Sequence, residues 1–229
     1  MSKKNMIISA LSLLVASPCF SGLYIGAGVG PEGARFNQNS HVTRPGTFDV
    51  IDRENFSGIG VFGTLFAGYG WNYKRFYLAG EINANISSLE YKLTNKEYLH
   101  GTLSKTTFTI KNSEGISALP GFFLTENTLF YGRIGYINGR VKINESDPTI
   151  ASATKNRNGI RYGLGLRQNI TERLTVMMDY SQINYQSIDS LTFEPFGGVT
   201  KSTQIFPNSA QVAFGVLYNF DVPKKEYVK

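Results

Sequence analysis

The sequence predicts an all-β protein, an eight-stranded antiparallel up-and-down transmembrane β-barrel with short periplasmic turns and four long extracellular loops. Three observations predict this fold class. Apolar residues recur at every second position in about eight separate segments. Glycine and aromatic residues are both frequent, with 24 Gly, 13 Tyr and 16 Phe among 229 residues, as is common in antiparallel sheets. Short and long connections alternate along the chain, as they do in barrels whose strands cross a membrane.

The first 21 residues are predicted to be a secretory signal peptide. Two lysines at positions 3 and 4 precede an apolar stretch over residues 6–16, and small residues follow near Ser21. The apolar stretch is shorter than the roughly 20 residues that a membrane-spanning helix needs, so we expect cleavage after Ser21. The expected organisation is a signal peptide over residues 1–21, a barrel domain over residues 22–220 and a short periplasmic tail over residues 221–229.

Composition argues against several classes of site. The net charge of +6 comes from scattered basic residues with no long basic run, so we expect no nucleic-acid partner. Cys19 is the only cysteine and precedes the cleavage point, so the mature chain should have neither a disulfide nor a thiolate metal site. The two histidines, His41 and His100, fall in separate long connections and form no ligand cluster. We therefore expect no catalytic residue, no metal and no cofactor.

The predicted strands are mostly near the ~9–11 residues of a tilted membrane-crossing strand. They cover residues 23–29, 60–71, 76–86, 107–124, 129–141, 157–168, 174–185 and 209–220. The short connections are residues 72–75, 125–128 and 169–173, and the long ones are residues 30–58, 87–106, 142–156 and 186–208. The long connections are rich in Asn, Ser, Thr and Lys, so we expect them to be solvated and mobile. Pro120 lies inside the fourth strand and cannot donate a ladder hydrogen bond, so we expect a bulge or a strand end there.

A glycine-rich stretch near the start of the barrel domain raises an alternative fold. Gly28, Gly30 and Gly33 have the G-x-G-x-x-G spacing of a dinucleotide-binding turn. That turn must open a helix within a strand–helix–strand unit, but the residues after Gly33 have no apolar helical face. The rest of the chain also lacks the alternating helices that a parallel sheet needs. The stretch is therefore predicted to be a barrel strand, in which inward glycines relieve crowding.

Charged residues in the predicted strands set the orientation of each strand. A charge that faces lipid near the bilayer midplane costs about 2–4 kcal/mol, so the apolar face of each strand should face lipid and the charged face should line the lumen. This rule turns Glu81, Arg133 and Asp179 inward, each shortly after a short turn. We expect Arg133 to bridge the two carboxylates and Arg161 or Arg167 to complete the lumen charge network, because a buried charge without a partner is costly. We interpret this network as a structural plug, and an ion gate is the alternative.

Several short motifs, taken in order, resemble a known family. The segments YIGAGVG, LFAGYGW, LAGEINA, LFYGRIGY, GLGLR and VAFGVLYNF are similar to the small eight-stranded outer-membrane barrels related to OmpA, OmpX and the opacity proteins. The resemblance implies a bacterial outer-membrane location with lipid and lipopolysaccharide as neighbours. The last strand resembles the signal that the barrel-assembly machinery reads, carried here by Gly215, Tyr218 and Phe220. Family members usually have a polar residue where Ala213 stands and end on the final aromatic residue, so the short tail is a departure.

Three functions remain open at this point. The first is a non-enzymatic surface barrel that serves adhesion, host-factor binding or envelope integrity through its loops. The second is a narrow channel for ions or small solutes, gated by the lumen charges. The third is an enzyme that modifies lipid A, which would need a nucleophile, a histidine and an acid near the outer interface. We favour the first function, and the candidate loop contacts are Phe36, His41, Arg44, Tyr98 and Phe108.

Overall fold

The computed structural model describes residues 22–96, 103–145, 153–194 and 198–221. The predicted signal peptide lies outside the described residues, as does the predicted tail after Asp221. The strands are β1 Gly22–Arg44, β2 Phe48–Tyr73, β3 Phe76–Ser87, β4 Glu90–Lys96, β5 Leu103–Phe123, β6 Thr128–Glu145, β7 Ala153–Asn169, β8 Leu174–Tyr185, β9 Ile188–Glu194 and β10 Val199–Asn219. None of the described residues belongs to a helix long and apolar enough to cross a membrane.

Antiparallel pairing joins these strands into a closed ring. The order is β1–β2–β3–β5–β6–β7–β8–β10, and β10 returns to pair with β1. β4 follows β3 after a short break and pairs with β5, while β9 follows β8 in the same way and pairs with β10. The ring therefore has eight strand positions, and the predicted fold class is confirmed. The G-x-G-x-x-G stretch lies wholly within β1.

Short turns close the periplasmic end of the ring, as the connection lengths predict. They are Lys74–Arg75, residues 124–127 and residues 170–173. Thr125 Oγ1 accepts a hydrogen bond from the backbone N–H of Asn127 at 3.3 Å. Thr171 Oγ1 accepts one from the backbone N–H of Leu174 at 2.9 Å. A threonine near the start of each four-residue turn therefore satisfies a backbone donor that the ladder leaves free.

In the part of the ring next to these turns, the outward side chains are mainly apolar, and the charged side chains of the strands point inward among aromatic and apolar ones. On β3, Ile82 and Ile86 are exposed, whereas Glu81 and Asn83 between them are buried. This orientation agrees with the one predicted from the charges. The outward apolar band includes Ile25, Leu65, Ile82, Ile134, Leu164, Val176 and Phe214.

Further from the turns, the polarity of the two faces reverses. On β6 the outward side chains change from Tyr136 to Arg140, and both are exposed. The inward side chains change from Arg133 to Ile137 and Val141, and the last two are fully buried. The alternation of side chains thus continues beyond the apolar band, with apolar residues now inside. The strands therefore extend further than predicted.

The predicted extracellular ends of the other strands are wrong for this reason, whereas those of β3 and β8 agree with the structure to within one residue. The connection predicted over residues 30–58 is a β-hairpin in which β1 and β2 pair from Gly22–Gly70 to Arg44–Phe48. The other three long connections also contain paired strand on both sides. Most predicted strands ended where the outward face became polar, because the prediction assumed one polarity along the strand.

Beyond the apolar band, toward the extracellular end, the ring separates into two four-stranded sheets. The pairing of β2 with β3 ends at Phe62–Ser87, and that of β7 with β8 ends at Gly159–Tyr185. Beyond these points the described pairings place β9, β10, β1 and β2 in one sheet and β4, β5, β6 and β7 in the other. Both sheets contribute to one buried apolar cluster, which we call the extracellular core. It comprises Ala34, Phe36, Leu89, Ile110, Ile137, Val141, Ile183, Tyr185, Ile188 and Ile205.

The expected bulge or strand end at Pro120 is also wrong. β5 keeps one register with β6 on both sides of Pro120 and continues to Phe123. The missing N–H of proline therefore perturbs the ladder only locally. The register shifts instead between Ile110 and Asn112, so Lys111 is the extra residue of a β-bulge.

Candidate functional site

The structure brings the five charged side chains of the predicted network together inside the barrel. Arg133 Nη1 lies 2.6 Å from Glu81 Oε1, and Arg133 Nε lies 3.0 Å from Asp179 Oδ2. Arg167 Nη2 lies 2.7 Å from Glu81 Oε2. Arg161 Nη2 lies 3.7 Å from Asp179 Oδ1. All five residues are at most 5% exposed, and we call them the charge belt.

Each carboxylate of the charge belt belongs to a three-strand arrangement that occurs twice. The first copy is Tyr24, Gly68 and Glu81 on β1, β2 and β3, and the second is Tyr131, Gly165 and Asp179 on β6, β7 and β8. In each copy the three residues lie directly opposite one another across neighbouring strands. The tyrosine hydroxyl donates a hydrogen bond to the carboxylate, at 3.1 Å in the first copy and 2.8 Å in the second. The central residue must be glycine, because a Cβ there would collide with the tyrosine ring.

The two copies lie in two similar halves of the chain. β3, β4 and β5 have 12, 7 and 21 residues, and β8, β9 and β10 have the same lengths. The cations do not follow this symmetry, because all three arginines lie on β6 and β7. Gly26 and Gly70 in the first half take the positions that correspond to Arg133 and Arg167. The second half therefore supplies the cations that neutralise the carboxylates of both halves.

Arg167 joins the two copies through its guanidinium group. The guanidinium carbon lies 4.8 Å from the ring centroid of Tyr24 and 4.9 Å from that of Tyr131. A cation between two tyrosine faces is attracted by the negative potential of each ring. Arg167 Nη1 also donates a hydrogen bond to Tyr77 OH at 3.4 Å. The charge belt is thus held by aromatic contacts as well as by ion pairs.

A third buried carboxylate completes the interior charge. The belt has three guanidinium groups and two carboxylates. Arg161 is its least satisfied member, since its one ion pair among the described residues is the longest of the belt at 3.7 Å. Glu32 on β1 is 3% exposed and accepts hydrogen bonds from Ser87 Oγ, from Ser209 Oγ at 2.6 Å and from Gln211 Nε2 at 2.9 Å. Within the described chain no cation lies within 4.0 Å of it. Counting Glu32, the three arginines and three carboxylates balance formally.

Sequence reasoning misses Glu32 because it lies just beyond Val29, where the first strand was expected to end. The two-residue period of the first strand nevertheless indicated its orientation. Glu32 lies an even number of residues from Gly28 and Gly30, so it shares their face of β1, which is the inner face. Following the two-residue period past the apolar band would have turned Glu32 inward.

The interior is filled on both sides of the charge belt. Aromatic and apolar side chains pack around the belt and toward the periplasmic end, and the extracellular core fills the opposite end. The first group comprises Tyr24, Phe62, Phe66, Tyr77, Ala79, Leu119, Leu129, Tyr131, Met177, Ala213 and Leu217. A shallow cavity at the periplasmic end is lined by Asn127, Asn169, Thr175 and Asn219 and ends at Arg167. This arrangement is a packed interior of the kind expected for eight strands.

One candidate loop contact is corrected by the structure. Phe36 is 1% exposed and lies in the extracellular core, because strand pairing continues through the segment that was expected to be a loop. His41 and Arg44 are exposed on β1, and His41 Nε2 lies 2.6 Å from Asp49 Oδ1. Phe108 lies on β5, and Tyr98 and His100 lie outside the described residues. In the described ranges no three His, Cys, Asp or Glu side chains are grouped so that they could hold a metal ion.

The three residues of the expected assembly signal lie at the end of the chain that closes the ring. Gly215 on β10 packs against the backbone of β1, and a Cβ there would collide with Ala27 O. Tyr218 and Phe220 point outward, 39% and 51% exposed, with ring centroids 5.3 Å apart. Arg173 Nη1 donates a hydrogen bond to Tyr218 OH at 3.0 Å. The two rings thus form an aromatic edge at the periplasmic border of the apolar band.

Comparison with solved structures finds similar outer-membrane barrels. OprG of Pseudomonas aeruginosa has 14% identity and a TM-score of 0.55, with 87% of this chain and 97% of that chain covered. Neisserial surface protein A has 14% identity and a TM-score of 0.43, with 87% and 98% covered. Ail of Yersinia pestis, solved in complex with the heparin analogue sucrose octasulfate, has 17% identity and a TM-score of 0.38, with 83% and 98% covered. At these identities the likeness to OprG concerns the fold alone.

Sequence comparison gives the family directly. None of the curated protein sequences matches the chain, but a family model described as the outer membrane protein beta-barrel domain matches residues 7–220. That match spans nearly the whole chain and includes every strand of the ring. The chain therefore belongs to the outer-membrane β-barrel protein family, and it is a protein of the bacterial outer membrane.

Proposed function

We propose that this protein is a non-enzymatic surface barrel whose packed interior anchors two extracellular sheets that contact ligands outside the cell. Adhesion, host-factor binding and envelope integrity are the roles that such a display serves. The observation that carries the proposal is the extracellular core, a buried apolar cluster that lies beyond the lipid-facing part of the strands. A chain that needed only to cross the membrane would not require an apolar core beyond the lipid.

The height of the first hairpin supports this role. β1 leaves the apolar band near Pro31 and continues to Arg44, which corresponds to about 40 Å of strand at ~3.3 Å per residue. Three apolar residues near the tip of the hairpin, Phe48, Val50 and Ile51, are 39%, 50% and 67% exposed. Grouped apolar side chains in an exposed region are typical of contact sites. The tip is therefore our candidate contact surface.

A narrow channel remains the second candidate function, because several interior polar atoms have no hydrogen-bond partner among the described residues. They are Asn83 Oδ1, Ser117 Oγ, Arg161 Nε, Arg167 Nε and Gln211 Oε1. Buried polar groups of this kind are commonly satisfied by internal water. Conduction would also require the extracellular core to open, which makes a channel the weaker candidate. Planar-bilayer recordings should show no stepwise conductance for the native chain, and conductance that changes with Arg133→Ala would favour the channel.

A shortened hairpin tests the surface role. Residues 41–51 would be removed, and Ser40 would be joined through Asn-Gly to Asp52, its cross-strand partner. We expect this variant to keep heat-modifiable migration on SDS gels and to lose binding to host cells or serum factors. The matched control is Ile170→Ser, which removes an exposed apolar residue at the periplasmic end. Equal binding by the shortened and native chains would contradict the proposed role of the tip.

We make further proposals about the assembly machinery, the surrounding lipid and the signal peptide. We propose that the aromatic edge formed by Tyr218 and Phe220, together with Gly215, is read by the barrel-assembly machinery, and that the apolar band contacts outer-membrane lipid. Phe220→Ala should reduce the amount of folded barrel in the outer membrane.

We also propose cleavage after Ser21, which the mass of the mature chain would test. His41→Ala should leave the lipid A mass spectrum of the cells unchanged, in keeping with a non-enzymatic barrel.

A further inference from the structure

We propose that the outward face of β5 and β6 binds the phosphate groups of lipid A in the outer leaflet through Lys111, Arg140 and Lys142. The proposal deepens the lipid contact included under the proposed function and rests on the outer-membrane location. It does not depend on the ligand of the hairpin tip. We call these three residues the basic patch.

Strand register brings the three cations together. Arg140 lies directly opposite Asn112, and Lys142 lies opposite Thr109. The β-bulge places Lys111 between these two positions on β5, as an extra residue that has no partner on β6. Arg140 and Lys111 are exposed and Lys142 is half-buried. The bulge that departs from regular pairing therefore adds a cation to the patch.

The basic patch lies immediately beyond the lipid-facing surface of the same strands. Ile134 and Tyr136 on β6 are 59% and 51% exposed and belong to the apolar band. Arg140 follows Tyr136 by two further steps on the same face, about 13 Å along the strand at ~3.3 Å per residue. A cation at this level meets the headgroups of the leaflet whose acyl chains contact Ile134 and Tyr136. The surface that binds lipid tails thus continues into one suited to lipid phosphates.

Neighbouring polar groups suit a phosphorylated sugar headgroup. Asn156 on β7 lies opposite Arg140, and Asn138 Nδ2 donates a hydrogen bond to Asn158 Oδ1 at 2.6 Å. Arginine and lysine supply the charge that phosphate oxygens require, and amide groups can bind sugar hydroxyls. The shared chemistry is that of a phosphorylated glycolipid.

Carboxylates near the patch do not cancel its charge. Glu114 lies nearer the membrane on β5, and Glu90 lies at the start of β4 opposite Thr109. Three cations against these two carboxylates leave the patch positive. In the part of the chain that the structure describes, no carboxylate lies within 4.0 Å of Lys111, Arg140 or Lys142.

The opposite wall of the barrel carries fewer grouped cations, with Arg35 on β1 exposed opposite Asn208. At the same level on β8 and β10 the outward residues are uncharged. They are Gln182, Asn184 and Asn208. A chain that carried cations only for solubility would not need to place three of them on neighbouring positions of one wall. The grouping of three cations on neighbouring positions favours a defined lipid site over general attraction to the membrane surface.

Native mass spectrometry of the detergent-solubilised full chain tests the proposal, with bisphosphorylated lipid A and its dephosphorylated form as probes. We expect the native chain to bind the phosphorylated form at least about tenfold more tightly, since each cation near an anionic surface strengthens binding by about fivefold. Lys111→Gln, Arg140→Gln and Lys142→Gln together should abolish this preference. The matched control replaces three exposed arginines elsewhere, Arg44, Arg53 and Arg75, by glutamine and should keep the preference.

Several results would overturn the proposal. They are a preference that survives in the triple patch variant, an equal loss in the matched control, and the absence of any preference in the native chain. Dextran sulfate serves as a soluble polyanion probe. If the triple patch variant loses binding to dextran sulfate but keeps its preference for phosphorylated lipid A, the patch binds a soluble polyanion instead of lipid A. If the triple variant does not fold, Arg140→Gln alone should weaken the preference by about fivefold, and an unchanged preference would contradict the proposal. The chain with the shortened hairpin should keep the lipid A preference, so failure of the surface role is distinguishable from failure of this one.

Discussion

The membrane-embedded and extracellular parts of this barrel are built from the same strands with opposite polarity. In the membrane part, apolar side chains face outward and the interior holds Glu81, Arg133 and Asp179. In the extracellular part, polar side chains face outward and the interior is the extracellular core. Both parts obey the same rule, that each face matches its surroundings. The comparison teaches that a constant two-residue period does not mean a constant polarity.

The largest expected effect comes from removing the central cation of the membrane part. Arg133→Leu leaves two buried carboxylates with fewer partners, which should cost about 3–5 kcal/mol in the free energy of unfolding. Urea unfolding in lipid vesicles measures this change, with the Arg133→Lys chain as a control that keeps the charge. Unchanged stability of the leucine variant would mean that water replaces the lost ion pairs.

The second prediction compares two isoleucines on one strand. Ile137 is fully buried in the extracellular core and Ile134 faces lipid. Ile137→Ala should cost about 2–4 kcal/mol because it leaves a cavity. It should also raise hydrogen exchange in the extracellular part of β6 more than in the membrane part.

The matched control is Ile134→Ala, which exposes backbone to acyl chains that can fill the space. We expect a smaller effect from this change. If the two alanine variants lose equal stability, the distinction between the two regions is not supported.

The third prediction concerns the contact between glycine and tyrosine beside the charge belt. A Cβ at Gly165 would collide with the ring of Tyr131, whereas a Cβ at Gly80 would meet no atom within 4 Å. Gly165→Ala should therefore destabilise the barrel by about 1–3 kcal/mol through overpacking. Gly80→Ala should be close to neutral in the same unfolding measurement. A neutral Gly165→Ala would show that the tyrosine ring can move aside.

The smallest expected effect comes from the carboxylate that has no cation beside it. Glu32→Gln keeps an acceptor for Ser87, Ser209 and Gln211, so we expect a loss of about 1 kcal/mol. Glu81→Gln, which weakens two ion pairs, should cost more. Thermal unfolding of the two variants gives the order directly, and a larger loss at Glu32 would show that the long-range charge balance outweighs local pairing.

The fold of the membrane part was predictable from sequence because lipid imposes a strict rule. An outward charge at Glu81 or Arg133 is too costly, so the two-residue period fixed both the faces and the grouping of the belt residues. The aromatic contacts of Arg167 were not predicted, since they depend on the distance across the lumen and not on spacing along the chain.

The extracellular part was harder to predict because its boundary is defined by what surrounds the strand. Phe36 was assigned to a loop since the residues around it are polar, yet those polar residues are the outward face of β1. The bulge at Lys111 was also missed, because it shifts the two-residue alternation by one position within the polar run Lys111–Glu114, where the apolar period cannot be followed. Knowledge of the membrane boundary would have been needed to place Phe36.

Closure of the ring between β1 and β10 has a consequence for biogenesis. Until the last strand arrives, β1 presents unpaired backbone donors and acceptors that a hydrocarbon environment cannot satisfy. No shorter amino-terminal fragment can satisfy this edge in the same way, because its partner residues lie at the far end of the polypeptide. Closure of the ring must therefore wait for β10. The final aromatic residues are then delivered at the moment when the seam can be sealed.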